Sequence, residues 1–279
     1  GIDINDVNIS STRYYTGALA GKAKGYQQNN FLIEDVSVSR ANITAQGYSG
    51  GVVGDFEKAA FNNGSFEGTV KGQTYIGGLA GRGTNVVINE FKSIISVNAN
   101  LGCQYVGGVT GNYLYNSDHD GFISNSLVDM KLLQNDSTDG NTLCKYVGGV
   151  SGKISDGNTI SKQLNIINTK VKINSDYSTA DVNNTSLKNE YYGGIAGEFS
   201  NNNSSANLSN LIIDFDLQGS DGKFRGALFG KTGCAGACDL DELTHSSFMS
   251  NLLTFSSTCS ITMSLSSFFS CSIGINSEY

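Results

Sequence analysis

Two patterns of apolar and polar positions alternate along this chain. The first is a seven-residue motif: aromatic, any residue, Gly, Gly or Ala, aliphatic, any residue, Gly. It occurs as Tyr15-Thr-Gly-Ala-Leu-Ala-Gly21, Tyr48-Ser-Gly-Gly-Val-Val-Gly54, Tyr75-Ile-Gly-Gly-Leu-Ala-Gly81 and Tyr105-Val-Gly-Gly-Val-Thr-Gly111. Three more copies follow, Tyr146-Val-Gly-Gly-Val-Ser-Gly152, Tyr191-Tyr-Gly-Gly-Ile-Ala-Gly197 and Phe224-Arg-Gly-Ala-Leu-Phe-Gly230. Their aromatic positions lie 33, 27, 30, 41, 45 and 33 residues apart. The second pattern is a strand-length run of β-branched and apolar residues after each copy, as in Phe31-Leu-Ile-Glu-Asp-Val-Ser-Val-Ser39 and Ile123-Ser-Asn-Ser-Leu-Val-Asp-Met130. Such runs, bounded by Asn, Ser, Asp and Gly, predict strands. Each repeat therefore reads as a Gly-rich strand, a turn, a longer strand and a variable loop.

A unit of this size cannot bury its own apolar face, whereas stacked units can. The expected fold is all-β: a β-solenoid or β-helix of about seven irregular rungs of 27–45 residues. Residues 1–230 form the repeat region, and 231–279 form a Cys-containing β segment that continues or caps it. Length differences map to loops, the longest spanning about 155–190. Strict alternation places the aromatic and the aliphatic residue of the motif on one face. Tyr15, Tyr48, Tyr75, Tyr105, Tyr146, Tyr191 and Phe224 are accordingly expected as a stacked core column. The opposite face, small at most positions, is expected to be flat and approachable.

Composition narrows the function classes. Charged residues are only 15% of the chain, Gly reaches 35 residues and Pro is absent, so the glycines read as structural requirements rather than as disorder. A net charge of −7 with no basic stripe argues against nucleic acid as a partner. No run of ~18 apolar residues occurs, so no membrane insertion by a helix is expected.

The motif copies resemble the GLUG-motif repeats of secreted and cell-surface proteins, whose pattern runs aromatic-x-Gly-Gly-Leu-x-Gly before an Ile-Ser-Asn-Ser-like strand. Tyr75 to Gly81 and Ile123 to Ser126 carry the likeness best, and it covers about residues 13–255. The resemblance implies β-solenoid modules of large surface proteins and no catalytic residues. This chain differs in its long inserts and in its cysteine-bearing C-terminal part.

Cys103 and Cys144 each stand two residues before a motif tyrosine in consecutive repeats. They share a column on neighbouring rungs, and a rung spacing of ~4.8 Å fits a disulfide. Cys234, Cys238, Cys259 and Cys271 could make two further bonds by any of three pairings. Paired cysteines favour an extracellular or cell-surface setting. N-glycosylation sequons begin at Asn8, Asn42, Asn63, Asn135, Asn183, Asn184, Asn202, Asn203 and Asn207, with Asn135, Asn184 and Asn203 the better acceptors because they fall in loops.

Catalytic patterns are incomplete. Gly47-Tyr-Ser-Gly-Gly51 matches a nucleophile elbow, but Ser49 lies in a repeat column and no helix follows. His119 and His245 have no nucleophile placed beside them. Asp214/Asp216 and Asp239/Asp241 read as solvent-facing acids of strands. Asn116-Ser-Asp118-His-Asp120-Gly121 resembles half a calcium loop, which makes Asp118 and Asp120 a weak calcium candidate; Leu127 stands where such a loop needs its glutamate. The chain is expected to be no enzyme and to need no cofactor.

Ile2-Asp-Ile-Asn-Asp-Val-Asn-Ile9 alternates cleanly and reads as the second strand of a rung whose first half is missing. The C-terminal stretch is strongly β-forming and carries no charge from Leu252 to Ser277. Uncapped ends of this kind favour a self-assembling subunit of a filament, appendage or cell-surface layer, with copies of the chain as partners, head-to-tail or lateral. The alternative is an adhesin that binds glycans or other surface proteins through loops bearing Tyr113, Tyr115 and Tyr177.

Overall fold

The computed structural model describes residues 1–12, 14–26, 31–98, 103–116, 120–133, 144–157, 162–176, 191–201, 205–216, 224–226, 228–234 and 247–249. Among these residues there are strands, turns and bends and no helix. Gly, β-branched and Asx residues give the backbone little reason to wind helically. The strands fall into two parallel sheets, so the protein is all-β.

One sheet is made of the motif itself. Tyr15–Thr16, Tyr48–Gly50, Tyr75–Gly77, Tyr105–Gly107, Tyr146–Gly148, Tyr191–Gly193 and Phe224–Gly226 lie side by side in sequence order. Pairing is in register, Tyr75 against Tyr48 and Tyr105, and Gly107 against Gly148. The other sheet holds the remaining strands, each paired with its counterpart in the next repeat. Val53–Lys71, for example, lies between Leu32–Thr44 and Ala80–Asn98. Ser247–Met249 pairs with Ile212 to Asp214, so part of the C-terminal segment continues this sheet.

The motif departs from simple alternation. Its strand stops after three residues, and a two-residue bend precedes the next strand. The bend resets the side-chain parity. The aliphatic residues Val52, Leu79, Val109, Val150 and Ile195 are fully buried, as are Ile76, Val106 and Val147 in the second motif position. The tyrosines instead line the outer face. The small-residue face expected from strict alternation is therefore core, and among the described residues these strands carry no flat outer surface of that kind.

Two glycines make the bend possible for steric reasons. A Cβ on Gly107 would stand 2.0 Å from the Thr110 carbonyl oxygen and 2.5 Å from the Ser151 Cα. A Cβ on Gly108 would stand 2.1 Å from Val128 Cγ1, which reaches it from across the core. The first glycine admits the neighbouring backbone and the second admits the opposite wall. The bend's own amides are satisfied by the next repeat, as in Leu79 N–H to Val109 O at 2.9 Å and Val109 N–H to Val150 O at 2.9 Å.

A second corner splits the longer run. Asp35, Asn63, Glu90, Asn125, Asn168 and Asn210 all have φ between 51° and 55°. They occupy one register column, since Ser124 pairs with Asn89 and Ile167, and Ile167 with Ser209, each one residue earlier. Asn tolerates this left-handed conformation better than most residues. The Ile-Ser-Asn-Ser run read above as one strand is thus two, Gly121–Ser124 and Leu127–Leu133, bent at Asn125.

Candidate functional site

The motif tyrosines form a ladder on the outer face. Ring centroids of Tyr15, Tyr48, Tyr75, Tyr105, Tyr146 and Tyr191 follow one another at 5.1, 4.7, 5.2, 5.0 and 4.9 Å. From Tyr75 to Tyr191 the rings are stacked with interplanar angles of 6–12°. Tyr15 at the start is 40% exposed and Tyr146 only 6%. The expected column therefore exists, but on the outer face of the motif sheet. The Phe224 backbone pairs with Tyr191, while its side chain lies outside the described residues.

A charged column runs beside the ladder. It is formed by the residue after the last motif glycine: Lys22, Asp55, Arg82, Asn112, Lys153, Glu198 and Lys231. Signs alternate from Lys22 to Arg82 and again from Lys153 to Lys231, with neutral Asn112 between the two runs, so charged neighbours at strand spacing attract instead of repel. Asp55, with no side-chain exposure, accepts from Arg82 Nε at 2.8 Å and Nη2 at 3.0 Å, and Lys22 Nζ stands 3.0 Å away. Lys153 Nζ lies 3.3 Å from Glu198 Oε1. The cations also cover the rings: Arg82 sits 4.8 Å from the Tyr48 centroid, Lys22 5.3 Å from Tyr15 and Lys231 5.3 Å from Tyr191.

These neighbours set the phenol chemistry. Burial, then the Glu198 carboxylate and the Tyr75 ring, push Tyr105 up to about 12. Burial and Glu198 raise Tyr146 in the same way, and burial raises Tyr75. Three phenols of the ladder, Tyr75, Tyr105 and Tyr146, are thus held against ionisation. From Tyr75 to Tyr191 the ring faces, the part of an aromatic that stacks on a sugar or a base, are taken up by the next ring.

Other expected positions separate clearly. Cys103 and Cys144 lie at disulfide distance, with Cα atoms 4.3 Å apart on consecutive repeats. Cys238, Cys259 and Cys271, with the Cys234 side chain, fall outside the described residues. Asp118, Asn135, Asn184, Asn203, Tyr177, His119, His245, Asp239 and Asp241 also fall outside them. Asp120 accepts from the Gln163 amide at 2.9 Å. Ser49 is fully buried in the second motif position. Asp214 pairs in register with Lys172. Asn8, Asn42 and Asn63 are exposed, and Asn63 donates to Asp35 Oδ1 at 2.6 Å.

Tyr113 and Tyr115 overturn an expectation. Both are completely buried, so neither is an exposed loop aromatic. Tyr113 stands in the column Phe56–Gly83–Tyr113–Ile154, with its ring beside Gly83. Its hydroxyl donates to Val86 O at 2.6 Å and accepts from the Phe122 amide at 2.8 Å. A buried phenol with both hydrogen bonds made belongs to the core.

The charged column escaped the sequence reading although its signal was available. Aligning the residue after each motif gives Lys, Asp, Arg, Asn, Lys, Glu, Lys. Comparison of the chain with protein-family models, with curated proteins and with solved structures returned no match.

Proposed function

We propose that this chain is a non-catalytic extracellular structural protein, a β-solenoid whose copies associate into a filament, appendage or cell-surface layer. The observation that carries the reading is the in-register parallel pairing of every described motif strand with the next. Such pairing gives an array in which each repeat contacts chiefly its neighbours along the stack. The tyrosine ladder, the alternating charges and the asparagine corner all reinforce stiffness along the stack and offer no concave reacting centre. The Cys103–Cys144 pair supports an oxidising compartment. The likeness of Tyr75 to Gly81 to GLUG-type repeats points the same way. The repeat region is residues 1–230, with 231–279 continuing or capping it.

Negative-stain imaging across a concentration series tests this reading. Ordered filaments or sheets that grow with concentration are expected. A chain that stays monomeric and dispersed at every concentration overturns it.

A further inference from the structure

The tyrosine ladder is not uniform. Tyr105, Tyr146 and Tyr191 each stack on the ring before them with planes 6–12° apart. Tyr48 and Tyr75 meet edge to face instead. Their centroids are 4.7 Å apart, the shortest step in the ladder, and their planes cross at 62°. Tyr15 and Tyr48 also cross, at 57°, but at 5.1 Å. The backbone beneath Tyr48 and Tyr75 is fixed by in-register pairing, and both rings are partly exposed. Arg82, held on Asp55 at 2.8 and 3.0 Å, lies 4.8 Å from the Tyr48 centroid and covers a face of that ring.

Two phenols held this close on adjacent strands are reactants at high effective concentration. Loss of one electron and the hydroxyl proton from each gives two phenoxyl radicals, with spin density on the carbons ortho to oxygen. A bond forms between one ortho carbon of each ring. The hydrogen on each bonded carbon then moves to its own oxygen as a proton, which restores both phenols in a biaryl. The pair has lost two electrons and two protons, and hydrogen peroxide used by a haem peroxidase accepts them and becomes two molecules of water. Crossed rings reach the bonding geometry by a turn about χ2, whereas stacked rings must first separate.

We propose that Tyr48 and Tyr75 are a site of oxidative modification, a dityrosine bond formed within one chain by a peroxide-dependent phenol oxidant. The bond joins consecutive repeats across 27 residues, and these are repeats that the Cys103–Cys144 pair does not reach. Reductants that open a disulfide leave it intact. The inference deepens the structural reading above and rests on it for the setting in which the oxidant acts.

The full chain, in dilute solution, is treated with a haem peroxidase and hydrogen peroxide, digested with trypsin and mapped by mass spectrometry. Residues 41–58 and 72–82 fall in separate tryptic peptides. The expected product joins these two peptides through Tyr48 and Tyr75, two hydrogens lighter than their sum, with dityrosine fluorescence and a yield independent of protein concentration. Tyr48→Phe and Tyr75→Phe, which keep a ring in the ladder, should each abolish it, and Tyr105→Phe should leave its yield unchanged. Absence of the joined peptides overturns the proposal. So does an equal yield at the stacked Tyr105–Tyr146 pair, a link from Tyr48 to Tyr15 in place of Tyr75, or a yield that rises with concentration and so marks a bond between chains. Copies that assemble while the treated chain forms no such bond sink the modification and leave the structural role standing; the bond in a permanently monomeric chain does the reverse.

Discussion

Asp55 shows how one buried charge is tolerated in a stack of this kind. Its carboxylate is fully enclosed, yet three charge-assisted contacts from Lys22 and Arg82 replace its water. Both cations keep some exposure and can re-solvate if it is lost. Asp55→Asn should therefore cost about 2 kcal/mol, less than the loss of a wholly buried pair; urea unfolding measures it, and an unchanged midpoint would count against the role. The tyrosines give a second residue-scale outcome. Tyr105 ionises near the ordinary value of 10.0 when unfolded and about 12 when folded. Its contribution is complete below pH 10 and falls as pH rises from there to about 12, because the unfolded chain releases the proton first. The urea midpoint should drop across that interval, alongside delayed phenolate absorbance, and Tyr105→Phe should lessen the drop.

At the scale of the element, the seven-residue motif works because it bends. Alternation read from the sequence put aromatic and aliphatic residues on one face, and the Gly-Gly step put them on opposite faces. The sequence recorded the need for glycine without stating its cause, which is the approach of another segment's backbone. Gly107 and Gly83 separate the two kinds of glycine. A Cβ at Gly83 meets only side-chain atoms, Val86 Cγ2 at 3.0 Å and Thr110 Cγ2 at 3.4 Å. Gly107→Ala should cost about 3 kcal/mol or more, and Gly83→Ala should stay within about 1 kcal/mol of the parent. Denaturation midpoints decide this, and equal effects at both sites would refute the steric account. The asparagine corner is a parallel case. Asn168 donates to Asn125 Oδ1 at 3.1 Å and accepts from Asn210 Nδ2 at 2.6 Å. The Ser-Asn-Ser text was visible, but nothing local distinguished a bent Asn from one continuing the strand.

Across the whole molecule, stability is the sum of repeats and of the interfaces between them. The Cys103–Cys144 pair joins two consecutive repeats across a sequence separation of 41. Reduction should lower stability by about 4 kcal/mol at most, the chain-entropy value for such a loop. Thermal unfolding with and without reductant, compared with a Cys103→Ala/Cys144→Ala variant, tests it; a reductant-independent midpoint would show that no bond forms. By itself the sequence determined the repeat, its strands, the parallel stacking order and the column shared by these cysteines, because each follows from spacing along one chain. Which face each tyrosine takes and the burial of Tyr113 and Tyr115 were decided only by the tertiary structure. Those depend on where a bend resets parity and on which segments pack over each ring, and both are properties of contacts between repeats.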